Sequence, residues 1–159
     1  MRYQDAIIEN TKAAAEQAFK YAKKVPADKL DWKPLGEGRS VLDICREMAC
    51  CAEWSERILR NEPFPEFTPE IQEAIAKQNE SMKTAEDCEA ECNRRLDNYL
   101  KAVAEFPDDK LGDTFTLPFD GGQTITMKQN MDYPRWNFEY HQGQIAYIQT
   151  LYGDKQVYW

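Results

Sequence analysis

Apolar residues recur at three- and four-residue intervals through most of this chain, and that spacing constrains the fold more than any other feature. In the first segment, Ile7, Ala14, Ala18 and Ala22 occupy positions that share one face of a helix. The pattern returns further along, so long helices are predicted over residues 3–24, 41–60, 84–106 and 127–152. Helices of this length bury their apolar faces most simply against one another, which predicts an all-α four-helix bundle.

Local signals predict where these helices begin. Ser40 precedes the second long helix and has Asp43 three residues later, the arrangement of a capping box. Thr84 is the corresponding cap of the third long helix. Thr68 followed by proline predicts the start of a short extra helix that ends near Ser81.

A short segment before the last helix has a different periodicity. Residues 114–127 alternate between polar and apolar side chains on both sides of an Asp-Gly-Gly turn, which predicts a small β-hairpin. The last helix is expected to stop at Gly153. The sequence therefore predicts one domain, residues 1–159, with four long helices, a short helix and a hairpin.

Charge and hydropathy exclude several classes of function. The chain has 20 basic and 28 acidic residues, a net charge of −8, and would repel the phosphate backbone of a nucleic acid. It has no basic run for an anionic membrane surface, and no apolar run approaches the roughly 20 residues that span a bilayer. The N-terminus lacks the apolar core of a signal peptide. We therefore expect a cytoplasmic protein that binds neither nucleic acid nor membrane.

The cysteines fit that expectation. Their number is odd, five in all, and a chain of 159 residues does not need disulfides to fold, so reduced thiols are expected. Cys88 and Cys92 lie one turn apart on a predicted helix. That spacing suits either a metal site or, as we favour, two small apolar side chains on one buried face.

Two short motifs carry a resemblance to a known family. Ser-Val-Leu-Asp-Ile, residues 40–44, opens the second long helix, and His-Gln-Gly-Gln-Ile, residues 141–145, lies in the last one. Together with the order of the elements, they resemble the DinB-like superfamily over nearly the whole chain. The resemblance implies a DinB-like four-helix bundle, a divalent metal, and metal-dependent chemistry that in some members transfers low-molecular-weight thiols.

The resemblance also implies the positions of the metal ligands. The family usually has three histidines, one seven residues after the serine and two as His-x-x-x-His in the last helix. The matching positions here are Glu47, Asn137 and His141, so only one histidine is kept. Glutamate is a good ligand for zinc, nickel or manganese, whereas a neutral amide is a weak one. Cys51, one turn after Glu47, is a further candidate ligand.

Two functions follow from these substitutions. In the first, Glu47, Asn137 and His141 hold one divalent ion in the bundle core. In the second, the three polar groups satisfy each other by hydrogen bonds. The protein is then a non-enzymatic module that binds a small molecule in the bundle pocket or forms oligomers. A homodimer is expected in either case, because the resemblance implies one.

Residues around His141 support more local expectations. Glycine inside a helix costs roughly 1 kcal/mol relative to alanine, so Gly143 predicts a close helix contact. Gln144 is expected to orient a neighbour by hydrogen bonding. Pro134 should kink the last helix or mark its start. Several aromatic residues at helical spacing could line a pocket or a subunit interface, and we interpret them mainly as core: Trp54, Trp136, Phe138, Tyr140, Tyr147 and Tyr152.

Overall fold

The computed structural model describes residues 1–118 and 121–158, and most of them are helical. Five α-helices and one pair of strands follow each other along this part of the chain. They are α1 Tyr3–Ala22, α2 Val41–Leu59, α3 Pro69–Ser81, α4 Ala85–Glu105, β1 Thr114–Thr116, β2 Thr124–Thr126 and α5 Met127–Leu151. The predicted helices, including the short extra one, and the hairpin before the last helix are confirmed.

The four long helices pack in a closed ring. α1 packs against α5 and α4, and α2 packs against the same two helices from the other side. The apolar faces meet in one core, whose largest fully buried side chains include Phe19, Met48, Tyr99 and Phe138. Tyr99 also donates its hydroxyl hydrogen across the core to the main-chain oxygen of Met131 in α5. None of the described helices combines the length and the apolarity that crossing a membrane requires.

The predicted helix caps form as the sequence indicates. Ser40 Oγ accepts a hydrogen bond from the Asp43 amide at 3.1 Å, and Asp43 Oδ2 accepts one from the Ser40 amide at the same distance. Thr84 forms the same reciprocal box with Asp87 at the start of α4, whereas Thr68 caps α3 only by accepting from the Ile71 amide. Each cap satisfies amide groups that a helix start leaves without an internal partner.

The hairpin stands between α4 and α5. Its strands are antiparallel, with Phe115 opposite Ile125. The predicted turn begins at Asp120, which lies outside the described residues. The two glycines after it have φ values of 74° and 77°, which glycine adopts more readily than other residues.

Helix α5 begins at Met127, as predicted, and this excludes one of the two roles considered for Pro134. Pro134 does not mark its start, because the helix begins at Met127 and continues through the proline. The close helix contact predicted at Gly143 is wrong. A side chain built there meets no atom within 4 Å, because this residue lies on the exposed outer face of the helix.

The aromatic residues of α5 divide between core and surface. Phe138 is fully buried, as predicted. Trp136, Tyr140 and Tyr147 are exposed by 49%, 51% and 66%, so the prediction that they are core residues is wrong. Trp136 and Tyr140 share a face and stack with their ring centroids 5.3 Å apart. A sequence pattern gives the face on which an aromatic residue lies, but not whether another element covers that face.

Candidate functional site

Helices α2 and α5 pack against each other and bring the three predicted site residues together. Glu47 comes from α2, and Asn137 and His141 lie one turn apart on α5. The His141 Nε2 atom is 2.8 Å from Glu47 Oε1, and Asn137 Nδ2 is 3.4 Å from the same oxygen. The i, i+4 spacing on α5 places both side chains on the face that points at α2.

The site lies at the edge of the core rather than inside it. Asn137 and His141 are 2% and 1% exposed, whereas the side chain of Glu47 is 42% exposed. All three groups are predicted to lie in the bundle core, and for Glu47 this prediction is wrong. Its carboxylate reaches the surface because α2 turns that side chain outward, toward the loop before Ser40.

Gln144 fixes the orientation of the imidazole ring, as expected. Its Oε1 atom lies 2.6 Å from His141 Nδ1. An amide oxygen only accepts hydrogen bonds, so Nδ1 carries a hydrogen. When the ring carries a second hydrogen, Nε2 donates to Glu47. A carboxylate oxygen accepts hydrogen bonds, so the 2.8 Å contact is one in which Nε2 donates to Glu47, and a metal ion at Nε2 would take the place of that hydrogen.

Arg39 holds the second oxygen of the Glu47 carboxylate. Its Nη1 atom is 2.6 Å from Glu47 Oε2. Partial burial opposes ionisation of Glu47, but the hydrogen bond to His141 and the contact with Arg39 outweigh it and lower the pKa of the carboxyl group. The site therefore keeps a carboxylate at neutral pH, with one oxygen turned to α5 and the other to Arg39.

Asn137 contributes an unsatisfied acceptor. Its Oδ1 atom is buried and accepts no hydrogen bond from the described residues. Its Nδ2 atom makes only a long contact with Glu47. A buried polar atom without a partner is uncommon in proteins and calls for an ion, a water molecule or a ligand. This oxygen belongs to the same side chain that contacts Glu47.

A cavity of about 430 Å³ opens beside the site. We call it the α2 cavity. Glu47 and Asn137 form part of its wall, and the loop and α3 complete it. The residues that line it are Arg39, Asp43, Arg46, Glu47, Cys50, Cys51, Trp54, Ile75, Asn79, Tyr133 and Asn137.

Sequence reasoning missed Arg39 as part of this site. Arg39 ends the Gly-Glu-Gly-Arg loop directly before the cap Ser40. One sequence feature could have suggested it: Arg39 lies next to the start of α2, about two helical turns before the predicted ligand Glu47. The direction in which a loop side chain turns depends on tertiary contacts, so the contact itself required the structure.

The side chains at this site determine which divalent ion it could hold. In the described part of the chain, no three His, Cys, Asp or Glu side chains cluster closely enough to hold a metal. Cys51 thus does not complete a set with Glu47 and His141, and burial raises the pKa of its thiol well above the ordinary value. The remaining donors are a carboxylate oxygen and an imidazole nitrogen, which suit zinc, nickel or manganese. Asn137 now turns its Nδ2 toward Glu47, so its amide would have to present Oδ1 instead in order to act as the third ligand.

Cys88 and Cys92 take the structural role that was favoured from their spacing. Both are buried in the core between α2 and α4. Burial raises the pKa of each thiol to about 12, so neither is a thiolate at neutral pH.

No model of a known protein family matches the chain, and no curated protein matches it.

Proposed function

We propose that this chain is a DinB-like helical protein that binds one divalent metal ion through Glu47, Asn137 and His141. The observation that carries the proposal is that His141 Nε2 and the Asn137 amide meet at one Glu47 oxygen. Asn137 Oδ1, one of five buried side-chain oxygens without a hydrogen-bond partner in the described residues, leaves an acceptor for an ion beside them. The motifs 40–44 and 141–145 supply the link to the superfamily.

The residues around the proposed ligands support this role. Gln144 accepts from Nδ1, so Nε2 is the nitrogen that would bind an ion in place of the hydrogen it shares with Glu47. Arg39 holds one Glu47 oxygen and leaves the other toward α5. The α2 cavity, with Glu47 and Asn137 in its wall, gives a small molecule access to the site. A bound divalent ion supplies Lewis acidity toward such a molecule.

A second function is favoured by one specific contact. The 2.8 Å hydrogen bond between Glu47 and His141, together with the Arg39 ion pair, satisfies these two side chains without an ion. In that case the α2 cavity serves a non-enzymatic protein as a binding site for a small molecule, and a water molecule satisfies Asn137 Oδ1.

Metal content distinguishes the two functions. The untagged protein is dialysed against zinc, nickel or manganese and analysed by elemental mass spectrometry, beside the variants Glu47→Gln and His141→Ala. Glu56→Gln is the matched control, since Glu56 lies on α2 and pairs with Arg60 away from the site. Near-stoichiometric metal in the wild type and the control, lost in both site variants, supports the metal site. Equal metal content in all four proteins, or none, supports the second function.

A further inference from the structure

A second cavity, larger and more apolar than the α2 cavity, lies between the hairpin and the junction of α2 with α5. Its volume is about 790 Å³. We call it the hairpin cavity. The residues that line it are Trp54, Ser55, Ile58, Phe67, Leu117, Gln123, Ile125, Gln129, Asn130, Asp132, Tyr133 and Trp136. Both volume and lining fall within the range of small-molecule sites, which are apolar clefts with a few polar groups.

Aromatic rings from separate elements form the walls. Trp54 of α2 packs against Phe67 of the α2–α3 connection, with ring centroids 5.9 Å apart. In α5, Tyr133 and Trp136 contact each other, with ring centroids 5.7 Å apart. One cavity is thus lined by aromatic rings of α2, of the α2–α3 connection and of α5, and such a lining favours an aromatic occupant.

The polar groups of the hairpin cavity are neutral or neutralised. Asp132 is the one charged residue among the described residues of its lining. Its two oxygens accept hydrogen bonds from Arg135 at 2.7 and 2.9 Å, so the negative charge of Asp132 is paired with the positive charge of Arg135. The others, such as the buried Asn130, whose Nδ2 donates to Ser55 O at 3.0 Å, carry uncharged amide or hydroxyl groups. The described lining residues offer an ionic ligand no unpaired opposite charge, so they would not compensate the free energy that its desolvation costs.

From these features we infer that the hairpin cavity binds an uncharged, planar aromatic small molecule. Trp54 and Tyr133 line both cavities, so the two adjoin. The inference does not depend on a metal, because neither Glu47, Asn137 nor His141 lines the hairpin cavity.

Isothermal titration calorimetry with two probes tests the inference. The probes are 2-naphthol, which is uncharged at pH 7, and 2-naphthalenesulfonate, which has the same ring system and a negative charge. We expect saturable 1:1 binding of 2-naphthol, and binding of the sulfonate weaker by about tenfold or more. No saturable binding of 2-naphthol, or equal affinity for the two probes, would overturn the inference.

Substitutions of cavity-lining residues test whether 2-naphthol binds in the hairpin cavity. Trp136→Ala removes one wall, and Leu117→Ser changes the hairpin side. Each should weaken 2-naphthol binding by about tenfold. Tyr147→Ala is the control, since Tyr147 is an exposed aromatic of α5 outside the cavity and its loss should not change the affinity. If circular dichroism shows that Trp136→Ala impairs folding, the affinity of Leu117→Ser for 2-naphthol is used instead.

Sedimentation velocity of the wild type and Trp136→Ala completes the test. A second copy of the chain that covers the hairpin cavity would exclude the probe. The inference is overturned if the wild type is a dimer that binds no 2-naphthol while the monomeric Trp136→Ala binds it.

Discussion

At the scale of single residues, the behaviour of His141 is set by the partners of its two ring nitrogens. Gln144 accepts from Nδ1, and Nε2 faces Glu47. Gln144 lies three residues after His141 on the same helix, so it can hold the ring without help from another element. Its role is that of a positioning residue: it contacts neither Glu47 nor Asn137 in the contacts described above, yet it determines which nitrogen faces Glu47.

We therefore expect Gln144→Ala to weaken binding of a divalent ion by about 10- to 100-fold, the usual cost of losing a partner of a metal-bound histidine. Gln142→Ala is the matched control, because it removes the same side chain two residues earlier without touching the ring. The dissociation constant of zinc, measured by competition with a chromophoric chelator, gives the comparison. Unchanged affinity in Gln144→Ala would show that the ring needs no such support, or that His141 binds no metal.

Sequence and structure contributed different parts of this site. The spacing of Asn137 and His141 on one helix could be predicted, since the helical period alone places them on one face. Glu47 came from the resemblance, and its exposure did not follow from the sequence. The unsatisfied oxygen of Asn137 and the ion pair with Arg39 depend on how α2, α5 and a loop fit together, and no local pattern encodes that.

At the scale of elements, the start of α2 depends on one charged cap. Asp43 closes the capping box with Ser40. Partial burial opposes its ionisation, but hydrogen bonding to Ser40 and the positive charges of Lys33 and Arg46 outweigh that effect and lower its pKa. A lowered pKa means that this carboxylate stabilises the fold above its unfolded-state pKa, and that the contribution is lost as the pH falls through the folded-state value.

We expect Asp43→Ala to lower the free energy of unfolding by about 1 kcal/mol at pH 7, the usual contribution of such a cap. The difference from wild type should begin to shrink as the pH falls below about 4, where the unfolded chain takes up a proton on Asp43, and should vanish once the pH is below the lowered pKa of Asp43 in the folded protein. Urea unfolding at a series of pH values measures both effects. Asp97→Ala, at an exposed position within α4, should not lower the stability. A pH-independent difference would contradict the role assigned to the Asp43 charge.

The interface of α2 and α4 carries the cysteines and allows a second test at this scale. Cys45, Cys51, Cys88 and Cys92 are buried, whereas Cys50 is partly exposed and lines the α2 cavity. Burial raises the pKa of the buried thiols, to about 12 for Cys88 and Cys92. Exposed thiols react with disulfide reagents, and buried, protonated ones do not.

Titration with 5,5′-dithiobis(2-nitrobenzoate) at pH 7 should therefore detect one fast-reacting thiol per native chain and all five after denaturation. Cys50→Ser should abolish the fast phase. Cys88→Ser should leave it in place and serves as the control. A fast phase that persists in Cys50→Ser would mean that the α2–α4 interface opens readily.

At the scale of the whole molecule, the long helices followed from periodicity, and the hairpin from its alternation and glycines. These are local properties, so they could be predicted. The outer surface of α5 could not, because a stripe of aromatic residues has the same spacing whether it is covered or exposed. Its exposure leaves Trp136, Tyr140 and Tyr147 on the surface of a chain whose net charge is −8.

The exposed aromatic face of α5 is a candidate interface for the expected homodimer. Association through the C-terminal half of α5 would bury Tyr147 and Leu151, which are 66% and 48% exposed. Two copies with a net charge of −8 repel each other, and salt screens this repulsion. Sedimentation velocity should therefore show a dimer that strengthens as the salt rises from about 0.05 to about 0.5 M.

Tyr147→Glu should weaken the dimer, whereas Ile75→Glu on α3, which adds the same charge elsewhere, should weaken it less. A monomer at every salt concentration would show that the homodimer expectation is wrong. Equal loss in both variants would mean that net charge, and not this face of α5, controls association.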